Sequence, residues 1–411
     1  MTAKNEQTFV GLDIGSSRVI CVVGLYQQDS PTPSIIGLGE SPTSGLRRGL
    51  VVDVEETVSS ITAALEGAER MSGIAIERAT VSIDGHHIRS LNSRAVIAVS
   101  RADREITKEE LARAEQSATS VPLDANRQVL QVLPRSYSVD GQKGVADPVG
   151  MNGIRLEADM HIITGSTPAL KNLHNAVFRS GIQINSQLIV PLAAAKTVIT
   201  KKQMELGVVL IHIGAETTGV AVYKEGQLFY TAIFPFGSSN ITRDIVYGLR
   251  TSMEIAEKVK LKYAKAHRPN QKHQHKIDLS EFGGKGIVNS YDLDRIVYAR
   301  CNEMFNIIAN QIDKVDAKKQ LAAGVVISGG GANMDGMVDF ISEQLKLPTA
   351  IGVSHKYTGV TDKITDPGYA AAIGLMLQDM DSPIIPSTNP LEGIIGNIGS
   401  KLKSIFKSLT P

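Results

Sequence analysis

Three short stretches of the 411-residue chain combine glycine with hydroxyl or charged side chains in a way that suits a polyphosphate. In "TFVGLDIGSSRVICVVGLY" two β-rich runs meet at Gly15, Ser16 and Ser17, followed by Arg18. In "GVVLIHIGAETTGVAVYKEGQ" two more meet at Gly214, Ala215, Glu216 and Thr217. Glycine turns let the backbone approach closely and aim N–H groups at phosphate oxygens, so two facing hairpins form a clamp. Asp13, just ahead of the first turn, is placed to hold the waters of a Mg²⁺ ion, with Ser16, Ser17 and Arg18 towards phosphate. The third stretch, "GVVISGGGANMDGMVDFI", is a β-branched strand running into Gly329, Gly330 and Gly331, with a helix expected to follow and face the nucleotide with its N-terminus. A single Gly-polar hairpin is a common structural device, and three glycines before a helix can be only a loop. The weight lies in the three together.

The elements that must position them follow from periodicity. Strand, Gly-polar turn, strand occurs twice, about 200 residues apart, which predicts two similar α/β lobes. Between them the pattern predicts a helix over 54–73, a strand over 78–85 and an inserted α+β segment over 84–163. Within that segment "RSLNSRAVIAVS" and "QVLQVLPRSYSVDG" read as strands, and "TKEELARAEQSATS" as a helix with Thr107 and Glu110 spaced as a capping box. "MHIITGSTPALKNLHNAVFRSGI" reads as a strand and helix returning to the first lobe. Residues 238–266 and 290–314 carry apolar side chains at helical spacing, separated by the polar loop "HRPNQKHQHK". Its His267, His273 and His275 have no clustered Cys or acid and read as exposed loop rather than metal ligands.

Composition narrows the function classes. The length predicts two or three folding units and room for a cleft. Lys+Arg 43 against Asp+Glu 42 leaves a net charge of +1, without the field that gathers nucleic acid. Cys21 and Cys301 lack CxxC spacing and read as core thiols in a reducing compartment. No secretory signal and no run of 18 apolar residues is present, so membrane contact is expected to be peripheral. The end of the sequence supplies a means. After the Pro/Ser-rich "DMDSPIIPSTNP", Leu391, Ile394, Ile395, Ile398, Leu402, Ile405, Phe406 and Leu409 share one helical face, flanked by Lys401, Lys403 and Lys407. Such a helix can dock on its own core, but the linker and lysines favour an interface lying on anionic lipid.

In this order the three glycine motifs resemble the phosphate and adenosine motifs of the actin, Hsp70 and sugar-kinase superfamily. The inserted segment, "QVLQVLP", "DPVG" and the "TRDIVYGL…AEKVKLKYAKA" stretch narrow the resemblance to the FtsA family of bacterial cell-division proteins, over nearly the whole chain. The resemblance implies an α/β, actin-like two-lobe fold of duplicated ribonuclease-H-like domains with an inserted α+β subdomain in the first lobe. The implied spans are 1–83 and 164–203 for the first-lobe core, 84–163 for the insertion, and 204–378 for the second lobe with its outer part near 238–312. A linker over 379–390 and a membrane-targeting helix over 391–411 follow. It implies ATP held by Gly15, Ser16, Ser17, Arg18, Gly214, Ala215, Glu216, Thr217, Gly237, Glu257, Lys260, Gly329, Gly330 and Gly331, with Mg²⁺ at Asp13. "VPLAAAKTVIT" and "DPGYAAAIGLML" stand where the family has its connecting helices.

Further implications are capture of the FtsZ C-terminal tail near Arg300 and Glu303, self-assembly into filaments, and recruitment of later division proteins by the insertion. The family's membrane helix corresponds here to Ile394, Ile395, Ile398, Lys401, Leu402, Lys403, Ile405, Phe406, Lys407 and Leu409, on the cytoplasmic face of the inner membrane at the septum. One departure is marked: family members usually read "DIGGGTTD" where this chain has "HIGAETTG". His212 and Gly219 replace two acids, so weak or absent ATP hydrolysis is expected, with His212 read as a hydrogen-bonded strand residue rather than a general base. Glu216 either compensates as a carboxylate or brings like charge near phosphate. The rival readings are a pilus-assembly scaffold, a sugar-kinase-like phosphotransferase and an Hsp70-like chaperone.

Overall fold

The alternating residues of "FVGLDI" are buried on both sides, which requires a helical layer on each face of the strand that carries them. The computed structural model, which describes residues 6–27, 30, 32–314, 320–353, 356–359 and 362–382, supplies those layers. The terminal helix expected over 391–411 lies outside the described residues.

The first lobe opens with β1 (Glu6–Ile14), β2 (Arg18–Gln27) and β3 (Ser34–Pro42). A short hairpin, β4 (Leu46–Arg47) and β5 (Leu50–Val51), leads to α1 (Val54–Ser72) and β6 (Arg78–Ile83). Asp53 caps α1 by accepting from Glu56 N, and Gly73 ends it in the left-handed region. The insertion comprises β7 (Arg89–Ala98), α2 (Lys108–Thr119), β8 (Arg127–Val139), β9 (Gln142–Val145) and β10 (Arg155–Ser166). The chain returns through α3 (Thr167–Arg179), β11 (Gln183–Ile189), α4 (Val190–Val198) and α5 (Lys201–Leu206).

The second lobe begins with β12 (Val208–Ile213), β13 (Thr218–Lys224) and β14 (Gln227–Phe234). It continues with α6 (Ser238–Leu249), α7 (Met253–Tyr263), β15 (Lys276–Asp278), β16 (Ile287–Asn289) and α8 (Ser290–Lys314). Then come β17 (Val325–Ser328), α9 (Met337–Leu345), β18 (Thr349–Ile351), β19 (Thr358–Gly359) and α10 (Ala370–Asp381).

The two main sheets repeat one topology. The first runs β19-β3-β2-β1-β6-β11 and the second β14-β13-β12-β17-β18; each has three antiparallel hairpin strands followed by two parallel ones, and the first adds β19 at its edge, parallel to β3. On β1, Val10, Leu12 and Ile14 face Ile61, Ala64 and Leu65 of α1, while Phe9 lies with Ala372, Ile373 and Met376 of α10. On β12, Val209, Ile211 and Ile213 face the helices of the second lobe, while Val208 and Leu210 lie with Leu192, Ala193 and Ala195 of α4. Helices α4 and α10 are thus an inner pair between the sheets. At their crossing a Cβ on Gly374 would overlap the carbonyl of Ala193, and Thr197 Oγ1 donates to Ala370 O at 2.7 Å.

Three sequence expectations change here. Residues 366–377, expected as a connecting helix within a second-lobe span of 204–378, form α10, which packs under β1: buried Asp379 accepts from Val10 N (3.0 Å), Thr80 Oγ1 (2.8 Å) and Asn185 Nδ2 (2.7 Å) of the first lobe. The strand in "MHIITGS" belongs to the insertion, where β10 lies between β7 and β8, because both offer it antiparallel partners along its length. The capping box of α2 is half made: Thr107 accepts from Glu110 N, but Glu110 Oε1 accepts from Ser100 N at 2.8 Å and so anchors the end of β7 instead.

Because the Gly374 contact is with helix backbone rather than a flexible side-chain end, Gly374→Ala cannot be absorbed by a rotamer change. It is expected to cost about 1–3 kcal/mol, read as a lowered denaturant midpoint. An unchanged midpoint would mean that the helix pair separates without cost.

Candidate functional site

The two hairpin turns have the same local construction. Gly15 N donates to Arg18 O at 3.1 Å and Gly214 N to Thr217 O at 2.9 Å. In each turn a Cβ on the glycine would stand 2.9 Å from that carbonyl, so only glycine closes the turn without strain. The start of α6 supports the second turn: Ser238 N and Ser239 N donate to Gly214 O (2.9 Å) and Ala215 O (2.8 Å). Gly237 fits because any Cβ there would press on those same carbonyls. The third glycine segment lies against the end of β12, with Gly329 left-handed at φ 82 and donating to Pro367 O, and Gly331 against Ile213. The sequence expectation of a helix straight after these glycines is corrected: residues Gly330–Asn333 form a 3-10 turn and α9 starts only at Met337. The close fit onto Ile213 fixes the loop before an α-helix can begin.

The turns meet across the cleft. Thr217 Oγ1 of the second lobe donates to Asp84 Oδ2 of the first at 2.5 Å. The left-handed turn Arg48-Gly49 touches both hairpins, Gly49 N donating to Ser16 Oγ (3.0 Å) and Arg48 N to Glu216 Oε2 (2.7 Å). Ser17 lies on the exposed side of its turn. Arg18 is ion-paired to Glu40 at 3.0 Å, with its guanidinium 4.7 Å from the centre of the Tyr369 ring.

Asp13 sits at the end of β1, beside β6, whose strand leads into Asp84. Burial, with the neighbouring Asp84 charge adding to it, pushes Asp13 up to about 6 against the pull of Ser82 and Arg18. Burial also raises Asp84, offset by hydrogen bonds from Thr217 and Gly85 N. Two carboxyl groups that resist ionisation together form a locus a cation would stabilise. Glu216 carries its own counter-charge, Arg243. Behind α6, Lys260 is buried and joined to Glu257 (2.8 Å) and Thr242 Oγ1 (3.0 Å), and Thr242 donates to Glu257 at 2.6 Å.

His212 is 7% exposed and stands in register with Gly219 on one side and Ser328 on the other. Its Nδ1 is 3.1 Å from Ser328 Oγ, and burial holds the ring down to about 4, so it is neutral at physiological pH. Gly219 faces Pro191 of α4, where a Cβ would come within 3.1 Å. Both departures from the acidic pattern thus fill one cross-strand position.

Remaining candidates lie elsewhere. On α8, Arg300 is bound to Asp244 (2.5 and 2.8 Å) and to Glu303 (2.8 Å). Among the described residues no group of three His, Cys, Asp or Glu is placed to hold a metal, and no helix is long and apolar enough to cross a membrane. Cys21 and Cys301 are buried free thiols. Sequence reading missed Asp84, Arg48 and Arg243. Asp84 carries a legible signal, an acid after the buried run "ATVSI" and before glycine, as Asp13 follows "VGL". The other two come into place only through long-range folding.

Residues 85–164 match the model described as "SHS2 domain inserted in FTSA", and residues 209–374 the model for "Cell division protein FtsA". The cell division protein FtsA of Pseudomonas aeruginosa is 34% identical over 378 residues, 92% of this chain and 90% of the relative. That of Bacillus subtilis is 35% identical over 374 residues, 90% and 83% respectively. Among solved structures, the "PilM-PilN type IV pilus biogenesis complex" superposes with a TM-score of 0.65 at 15% identity, covering 92% of this chain and 99% of that one. "MreB5 of Spiroplasma citri bound to ADP" does so with 0.53 at 13%, covering 90% and 95%. The likeness to these structures concerns the fold.

Because His212 has its folded-state pKa below its unfolded one, the folded state lacks a proton that the unfolded chain binds between about pH 6.5 and 4. Its contribution is full above that window and is lost as pH falls through it. His212→Asn is expected to flatten the pH dependence of unfolding free energy there by up to about 1.4 kcal/mol per pH unit, measured by urea titration. An unchanged slope would place the ring in water.

Proposed function

The chain belongs to the FtsA family of cell-division proteins, and from that premise we propose that it is an ATP-binding scaffold that tethers FtsZ filaments to the membrane at the division site. The observation that carries the nucleotide part is the pair of like-built glycine turns facing one another across the cleft, joined through Thr217 and Asp84. ATP lies between them, its phosphates taken by the backbone donors of 15–18 and 214–217, with the 329–331 loop and the Glu257–Lys260 pair on the base side. The family's fold relative MreB5, solved with ADP, supports that reading. The residues present suit a Mg²⁺ ion at Asp13, whose reluctance to ionise beside Asp84 a cation would relieve. When bound, the metal supplies charge neutralisation for the phosphates.

What this chain's own residues do is hold rather than hydrolyse. A buried neutral His212 offers no negative charge to metal or water, and Glu216 is committed to Arg243 and Arg48 N. Binding one lobe arrangement better than another lets nucleotide shift the closed, filament-forming population without turnover.

The FtsZ tail is assigned to the outer part of the second lobe. An open groove of about 950 Å³, bordered by Leu249, Arg250, Asp292, Arg295 and Tyr298, adjoins the helix that carries Arg300 and Glu303. Glu303 is exposed, whereas Arg300 is largely engaged by Asp244, so Arg295 and Arg250 join it as basic contacts for an acidic peptide. Residues 391–411 anchor the assembly to the cytoplasmic face of the membrane, and the insertion presents a surface to later division proteins.

Purified full-length chain incubated with labelled ATP and Mg²⁺ is expected to retain intact ATP after isolation. Rapid conversion to ADP would overturn the holding role. A chain ending at residue 390 is expected to lose flotation with anionic vesicles while keeping nucleotide; undiminished flotation would remove the tail from the anchoring role.

A further inference from the structure

Arg48 and Gly49 form the turn between β4 and β5, both left-handed at φ 51 and 75. The turn is wedged in place, since a Cβ on Gly49 would come within 2.6 Å of Gly85 N. Its two N–H groups are divided between the hairpins, one to Ser16 Oγ and the other to the Glu216 carboxylate. The second oxygen of Glu216 is gripped by Arg243 of α6, and the side chain is only 15% exposed. A carboxylate held by a guanidinium from one lobe and a backbone N–H from the other occupies donors of the kind that select phosphoryl oxygens. The sequence makes this possible by placing a glutamate in a turn that otherwise carries small residues and threonine.

Resting on the nucleotide reading above, we propose that Arg243 and Arg48 N–H form an anion subsite spanning the lobes, for which the Glu216 carboxylate and the terminal phosphate of a bound triphosphate compete. Glu216 is then a latch. It ties the first-lobe turn to the second-lobe helix, and it competes with the third phosphate of ATP, which ADP lacks. The chain therefore discriminates the two nucleotides less than its donor set allows.

The test compares full-length wild type, Glu216→Ala, the isosteric Glu216→Gln and the double variant Glu216→Ala/Arg243→Ala by calorimetric titration with ATP and with ADP. Freeing charge-assisted donors is expected to raise the preference for ATP over ADP about tenfold in Glu216→Ala, less in Glu216→Gln, and not in the double variant. Glu216→Gln carries the comparison should the alanine variant fail to fold. If wild type and both single variants bind both nucleotides with the same preference, the subsite falls and the nucleotide reading stands; if no form binds either, the nucleotide reading falls and the subsite with it. Amide exchange at Arg48 in nucleotide-free protein reports the latch directly. Faster exchange in Glu216→Ala is expected, and exchange equal to wild type would overturn the latch.

Discussion

The crossing of α4 and α10 is the constraint on which the two-lobe arrangement depends. One helix lies under each sheet, and they touch where Gly374 meets the Ala193 carbonyl. Helices normally pack at 8–10 Å, and closer approach requires positions without side chains. The runs "AAA" at 193–195 and 370–372 supply small residues on both partners. Above this crossing the ends of β1, β12 and β17 bring the three glycine segments together, so the cleft takes its geometry from the packing beneath it. The chain enters the second lobe after α4 and returns to the first with β19 and α10.

Closure above that pivot is polar. Thr217 with Asp84 and Glu216 with Arg48 join the lobes through hydrogen bonds. Such bonds exchange with those to water or to an anion and have a modest net worth, about 1.5–3 kcal/mol each for an ionised acceptor. A buried apolar seam at the same place would fix the lobes shut. The lobes thus meet through an apolar pivot below and polar contacts above.

The insertion adds a third contact. It leaves and re-enters the first lobe, yet its sheet packs on the second: Ser90 Oγ donates to Thr231 O at 2.8 Å, and the Arg135 guanidinium, ion-paired to Asp159, lies 4.5 Å from the centre of the Phe229 ring. Its own core, with Leu111 and Ala114 of α2 against Tyr137, Leu156 and Met160, is self-contained. The seam on β14 is apolar as well as polar, since Leu130 and Leu133 of β8 and Ile163 of β10 share a cluster with Leu228 and Ile233 of β14.

Much of this was legible in sequence because it is local. β-branched runs marked the strands, glycine marked the two hairpin turns, and helical spacing marked α1 to within a residue of its end. Resemblance in motif order identified the family and the two-lobe fold. The sequence by itself thus determined where the glycine turns fall and that an acid is absent at 212, since those depend on residue type at a fixed local geometry. Only the tertiary structure decided what those residues touch: that His212 is neutral against Ser328, that Asp13 is matched with Asp84, and that Glu216 reaches Arg48, 168 residues away in the chain. It also decided that α10 belongs beneath the first sheet. These are contacts between segments distant in sequence, and a side chain's charge and partners are set by the environment that folding brings to it, which no local pattern encodes.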